Sequence, residues 1–196
     1  MTDITSESAS GRRSGPTNLL KTGSAPDDSA GPPQADLIAC VELFYIAYRD
    51  FTCDPDTILE QYGFGRAHHR VLHFVHRNPG LKVAELLDIL KITKQSLARV
   101  LKQLVDEGFI IQRAGDEDRR ERRLYVSAKG ARLTDKLTHI QVKRLEKALQ
   151  KAGPEAETMT RRFLLGMIAE QDRPHVEALL SLSGIGKARP GAAGSD

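Results

Sequence analysis

The residues from Lys91 to Val105, KITKQSLARVLKQLV, contain Lys91, Lys94, Arg99 and Lys102 and no acid. Their polar neighbours have the chemistry of a base-reading surface. Gln95 can pair with the edge of adenine, Arg99 can donate two hydrogen bonds to guanine, and Ser96 can reach a base or a phosphate. Lys94 and Lys102 suit phosphate neutralisation. An ordinary solvated helix face has the same composition, so the run needs geometric support before it counts as a nucleic-acid footprint. A second charged stretch follows. DEDRRERR, residues 116–123, balances four acids against four arginines. It reads as a surface ion-pair network, or as a loop that places one arginine in the narrow, electronegative minor groove. In the second reading Arg119, Arg120 and Arg122 are the contacting cations, and Asp118, two residues before Arg120, holds that arginine's fork.

The histidines and cysteines point to other chemistries. His69, His73 and His76 fall within a wedge of about 60° on a helix, and the first two have the spacing of a helical metal pair. No carboxylate or cysteine lies beside them, and Arg70 stands where a zinc-protease motif needs glutamate. A histidine-lined dimer or inter-helix surface is therefore favoured over a metal site. Cys40 lies on an apolar stripe and reads as a buried thiol. Cys53 is expected in a loop after that stripe. Thirteen helical residues would separate them by roughly 20 Å, far beyond the reach of a disulfide, which needs Cα atoms within about 7 Å. An intersubunit bridge and a redox response stay open. Two cysteines are too few for a disulfide scaffold or a structural zinc site. The sequence contains no nucleophile–base–orienter set and no phosphate-cradling glycine loop, so neither an enzyme nor a cofactor is expected.

Periodicity supplies the elements that must position these residues. Leu37, Cys40, Val41, Phe44 and Tyr48 form a helical stripe that is expected to break at Asp54–Pro55, with a short helix over TILEQY ending at Gly63. The stripe returns from Arg66 to Arg77 at His68, Val71, Leu72 and Val75 and stops at Asn78–Pro79–Gly80. A short helix over Val83–Leu90 and a tight connection at Lys91 and Ile92 lead to Thr93, a suitable N-cap. The next helix turns Leu97, Val100, Leu101 and Leu104 inward and ends at Gly108. Two short apolar helices joined by such a turn form a helix-turn-helix candidate. FIIQR and RLYVS, on either side of the charged loop, then read as a β-hairpin. Ser127 caps a long helix to about Lys151, and two more apolar helices follow, carrying Phe163, Leu164, Met167 and Ile168 and then VEALLSL. The order is that of a mainly α fold with a small hairpin wing.

The chain has 196 residues, 40% hydrophobic and 28% charged, with a net charge of +3. These values suit a globular protein and do not by themselves demand a polyanionic partner. The boundaries read as a disordered tail over 1–35, N-terminal helices over 36–63, a winged helix over 64–127, C-terminal helices over 128–183 and a flexible tail over 184–196. The first tail, rich in Ser, Gly and Pro, lacks the large apolar residues that would offset its ordering entropy. No stretch approaches a membrane span, and the opening MTDITSESASGRRSG is not a secretory signal. A cytoplasmic location is expected.

The segment GLKVAELLDILKITKQSLARVLKQLVDEGFIIQRAGDEDRRERRLYVSAKG resembles the MarR family of bacterial regulators, over about eighty residues from near Tyr62. It shares the leucine-rich helix, the T-K-Q-S-like start, the leucine pair and the E-G before the first strand. The wing's D-x-R and closing T/S-x-x-G match Asp118, Arg120, Ser127 and Gly130. FYIAYRDFTCDPD with YGFGRAHHRVLHFV resembles a smaller PetP-like branch. The resemblance implies an obligate homodimer with interleaved terminal helices. It also implies a palindromic double-stranded DNA operator with half-sites about one helical turn (~34 Å) apart. Many relatives release DNA when a small, often aromatic, anion binds between the dimer base and the winged helix, and others respond to cysteine oxidation. Cys40, Phe44, His68 and Leu72 are the expected edge of such an effector pocket. Three departures stand out: Lys82 where Ser, Thr or Asp usually caps the first helix of the pair, His68 where Gln is frequent, and a longer N-terminal tail. A winged helix used for protein contact without DNA is the alternative.

Overall fold

The computed structural model describes residues 31–115 and 121–182. The chain divides after Cys40 into two units. The first unit contributes the opening turns of helix α1 (Gln34–Glu60), with Leu37, Ile38 and Cys40 exposed. The second holds the rest of α1 and the remaining elements: α2 (Arg66–Arg77), β1 (Leu81–Lys82), α3 (Val83–Leu90), α4 (Lys94–Asp106), β2 (Ile110–Ala114), β3 (Arg122–Val126), α5 (Ala128–Ala152), α6 (Ala156–Met167) and α7 (Arg173–Leu182).

The expected break at Asp54–Pro55 does not occur. One helix runs through Pro55, and Cys53 lies within it rather than in a loop. Proline removes a backbone donor and crowds the preceding turn. Here Thr52, Pro55 and Leu59 are buried on one face of α1. The Thr52 hydroxyl donates to the carbonyls of Tyr48 and Arg49, both at 3.1 Å, and Thr57 to that of Cys53 at 3.2 Å. Packing of that face and side-chain bonding outweigh the local preference.

The core lies in the winged helix. Val71, Leu72 and Val75 of α2, Leu86 and Leu90 of α3, the inward leucines of α4, Phe109, Ile110, Leu124, and Leu133 and Leu137 of α5 form one buried cluster. A three-stranded antiparallel sheet in the order β1-β3-β2 closes one side. The hairpin register pairs Ile110 with Val126 and Ala114 with Arg122. The two-residue β1, which the sequence pattern does not suggest, pairs Leu81 with Leu124 and Lys82 with Arg123.

Where α5 begins, the fit is tight. Ser127 accepts from the Gly130 amide at 3.0 Å and donates to the Gly108 carbonyl at 2.7 Å. A Cβ on Gly130 would lie 2.2 Å from the carbonyl oxygen of Phe109. Only glycine lets the first turn of α5 rest on the strand entry.

The apolar residues outside the core are unevenly placed. Val41, Phe44, Tyr45 and Tyr48 on α1, Val142 and Leu145 on α5, and Met159, Phe163, Leu164 and Met167 on α6 are all exposed. Among the described residues, no helix is long and apolar enough to cross a membrane.

Candidate nucleic-acid interface

Helix α4 has one apolar and one polar side. Leu97, Val100, Leu101 and Leu104 are each at most 4% exposed. Lys94, Gln95, Ser96, Arg99 and Lys102 are all exposed. The start of the helix is fixed by Thr93, whose side chain accepts from the Ser96 amide at 3.1 Å and donates to the Ser96 hydroxyl at 2.9 Å. The sharp turn from α3 is made at Lys91, a non-glycine residue with φ of 51°. Such a conformation costs roughly 1 kcal/mol, and it satisfies an end carbonyl of α3 through the Lys91 amide and Leu87, 2.9 Å apart.

The cations of this region are not equally available. Lys91 pairs with Asp172 at 3.0 Å, and Lys102 pairs with Asp106 one turn away. Among the described residues, no hydrogen bond or ion pair engages the side chains of Lys94, Gln95 or Arg99. The stretch free of acids in sequence is thus only partly free of them in space.

The wing leaves and re-enters the sheet at Gly115 and Glu121, joined by a hydrogen bond of 3.1 Å from the Gly115 amide to the Glu121 carbonyl. Arg122 is exposed beside this point. The expected contacts Asp118, Arg119 and Arg120 lie outside the described residues. Lys82 makes no side-chain cap for α3. Glu85 supplies half of what is missing, accepting from the Lys82 amide at 2.8 Å. The Lys82 ammonium instead pairs with Glu121 at 2.8 Å. Sequence reasoning misses that contact; the unusual lysine at a cap position is its one signal.

The expected pocket-edge residues do not line the cavity between α1 and α2. Leu72 is fully buried in the core. The His68 ring is engaged at both nitrogens: Nδ1 accepts from the Gly65 amide at 3.1 Å, and Nε2 meets Gln103 Oε1 at 2.9 Å. Phe44 and Cys40 are exposed on α1, so the buried thiol expected at Cys40 is not found. The cavity, of about 510 Å³, is lined by Tyr48, Phe51 and Asp56 of α1, by Arg66, His69, Arg70, His73 and Phe74 of α2, and by Gln141 of α5. The difference is one of helical phase. Leu72 points into the core and His68, half-buried, lies against Phe64 and Gln103, and the residues one step on, about 100° around the helix, face the cavity. Burial, reinforced by His73, pulls the pKa of His69 down to about 4. His73 is also lowered, by burial first and then by Arg77 and His76. Both are neutral at pH 7. His76 turns away and meets Asp135 at 3.1 Å. Among the described residues, no group of three or more His, Cys, Asp or Glu is placed to hold a metal ion.

Residues 62–121 match the sequence profile of the MarR family. The chain is 45% identical over 139 residues to the HTH-type transcriptional regulator PetP of Rhodobacter capsulatus, covering 71% of this chain and 84% of that protein. The chain belongs to the MarR family. Its relatives are transcriptional regulators, not enzymes. A MarR regulator from Methanosarcina mazei superimposes with a TM-score of 0.56 at 25% identity, over 67% of this chain and 94% of that one. The regulator SlyA gives 0.55 at 17% identity, over 76% and 99%. A cysteine-to-serine mutant of MarR from E. coli, solved in complex with operator DNA, gives 0.51 at 19% identity, over 69% and 97%. These last two likenesses establish the shared MarR-type winged-helix fold.

Proposed function

We propose that this MarR-family regulator binds a palindromic duplex as a homodimer, with α4 in the major groove and the wing against the neighbouring minor groove. The observation that carries the reading is the two-sidedness of α4. Its apolar side is wholly occupied by the core, while Lys94, Gln95 and Arg99 stand exposed at the end that enters a groove in helix-turn-helix proteins. The E. coli MarR mutant of the same fold was solved on operator DNA. In this reading Arg99 and Gln95 read bases and Lys94 neutralises phosphate. Ser96 contacts base or backbone, and Lys102 acts once its pair with Asp106 opens. From the wing, Arg119, Arg120 and Arg122 approach the minor groove, with Asp118 orienting Arg120.

The second copy is assigned to the exposed apolar faces of α1, α5 and α6. Large side chains such as Tyr45, 72% exposed, and Phe163, 56% exposed, leave too much apolar surface open for a monomer of this size. An effector is assigned to the cavity between α1 and α2. Its aromatic walls suit a small aromatic molecule, and an anionic group on it would compete with Asp56 for Arg66, now paired at 2.8 Å, and with the Leu90 carbonyl for Arg70; α2 connects the cavity to the reading helix through His68 and Gln103.

Selection of bound sequences from random DNA, followed by titration of the selected duplex, tests the reading. Affinity should fall about 10³-fold or more between 50 and 200 mM salt for some six phosphate contacts. Arg99→Ala should cost about 1 to 3 kcal/mol at one base position and relax specificity there. Affinity that ignores salt, or is unchanged by Arg99→Ala, would mean that a different face docks. The effector assignment fails if no small aromatic acid in a screen releases the duplex.

A further inference from the structure

The base of the wing holds an unusual arrangement of charge. Lys82 and Arg123 are direct cross-strand partners in β1 and β3. Like charges in that position repel each other and weaken a sheet. Glu121 lies between them: one carboxylate oxygen meets Lys82 Nζ at 2.8 Å and the other meets Arg123 Nε at 3.0 Å. The carboxyl is held below its ordinary range, chiefly by the hydrogen bond from Lys82. Glu121 also fixes the backbone at the wing's root through the bond from the Gly115 amide at 3.1 Å. Lys82 is itself the residue from which α3 starts, and its amide is bound by Glu85 at 2.8 Å. One carboxylate thus connects the first residues of the helix-turn-helix to the root of the wing.

We infer that Glu121 is a positioning residue for DNA binding: by bridging Lys82 and Arg123 it holds the wing, with Arg122 at its edge, in fixed register with α3 and α4. The inference rests on the proposal that α4 and the wing dock together on a duplex. Its logic concerns sign. An acid at a DNA-facing edge should weaken binding through the field alone, so its removal should tighten binding. If Glu121 instead keeps two contact elements aligned, its removal costs affinity despite the added positive charge. Alignment of two elements is what lets both engage phosphates at once.

The test uses the full chain and a duplex that the wild-type protein has selected from random DNA. Glu121→Gln raises the net charge of each protomer by one, and Lys82→Met lowers it by one. The field alone predicts opposite effects, whereas a shared bridge predicts that both weaken binding. Each should cost about tenfold or more in affinity and should flatten the salt dependence by about one unit of slope per protomer. Lys82→Arg, which retains the ion pair, should stay near wild type. Circular dichroism of the variants should match the wild type, and the thermal midpoint should fall by no more than a few degrees, since the bridge lies at the surface. Equal or tighter binding by Glu121→Gln, opposite effects from Glu121→Gln and Lys82→Met, or an undiminished salt slope overturns the inference while leaving DNA binding intact. Failure of the wild-type protein to bind any duplex removes both.

Discussion

His69 makes a quantitative claim about acid stability. It is 8% exposed, and burial pulls its pKa from the ordinary 6.5 to about 4. The sign follows from linkage. Below about pH 6.5 the unfolded chain protonates this imidazole and the folded one does not, so stability is present above that value and lost as pH falls. The loss levels off only below about 4, where both states are charged. Between pH 7.5 and 4.5 the difference in proton binding integrates to about 2.5 kcal/mol. That is a large part of the roughly 5 to 15 kcal/mol typical of a domain.

Substitution of His69 by Leu removes the titration while filling similar volume. Urea unfolding of wild type and variant at a series of pH values isolates the effect, with protein concentration held constant so that the self-association proposed above would contribute equally to both. The gap between the two curves should narrow, or reverse in the variant's favour, by about 2.5 kcal/mol from pH 7.5 to 4.5. His73 and the surface groups remain in both proteins and largely cancel in the difference. Parallel curves would refute the reasoning. They would mean that water reaches the His69 ring through the open side of the cavity and that burial does not govern its proton.

Gly130→Ala should destabilise the chain by about 1 to 3 kcal/mol in urea unfolding, because the added carbon falls 2.2 Å from the Phe109 carbonyl oxygen, even though alanine ordinarily favours a helix. Thr93→Ala should cost about 1 kcal/mol, with hydrogen exchange accelerated at the Ser96 amide, which the Thr93 side chain now binds at 3.1 Å. Phe163→Glu places a charge on the exposed face of α6; under the proposed homodimer, sedimentation should show the wild type as a dimer and the variant shifted to monomer at the same concentration. Cys40 and Cys53 are both free and exposed. A peroxide effect on DNA affinity that persists in the Cys40→Ser, Cys53→Ser double variant would exclude thiol sensing.

What the sequence reveals and conceals follows from the range of the forces. Helix α4 is legible in full because its determinants are local: a hydroxyl at Thr93, leucines one turn apart, a glycine at 108 with φ of 74°. The start of α5 is equally legible in Ser127 and Gly130. Helix α1 misleads because the penalty of Pro55 is local, whereas the burial of Thr52, Pro55 and Leu59 that outweighs it is tertiary. Strand β1 is too short for any periodicity to declare it. The wing's base depends on Lys82 and Glu121, distant in sequence and brought together only by the pairing of β1 with β3. The cavity residues differ from the expected ones by one helical step, since a stripe of apolar residues does not say which flank borders empty space.

That one-step difference gives α2 two working sides. One faces the cavity through His69 and His73, and the other faces the core through Val71, Leu72 and Val75, none of them measurably exposed. Close-packed side chains of this kind do not absorb displacement; they pass it on. The direction in which α2 passes it is set by His68. The Gly65 amide can only donate, so His68 Nδ1 must accept, and the ring proton resides on Nε2, where it is donated to Gln103 Oε1 of α4. The Gln103 amide in turn donates to Glu107 at 2.9 Å, beyond the last turn of the same helix. The start of α2 and the end of α4 are therefore joined by hydrogen bonds of fixed polarity, and a movement of α2 that leaves α4 in place must first break one of them.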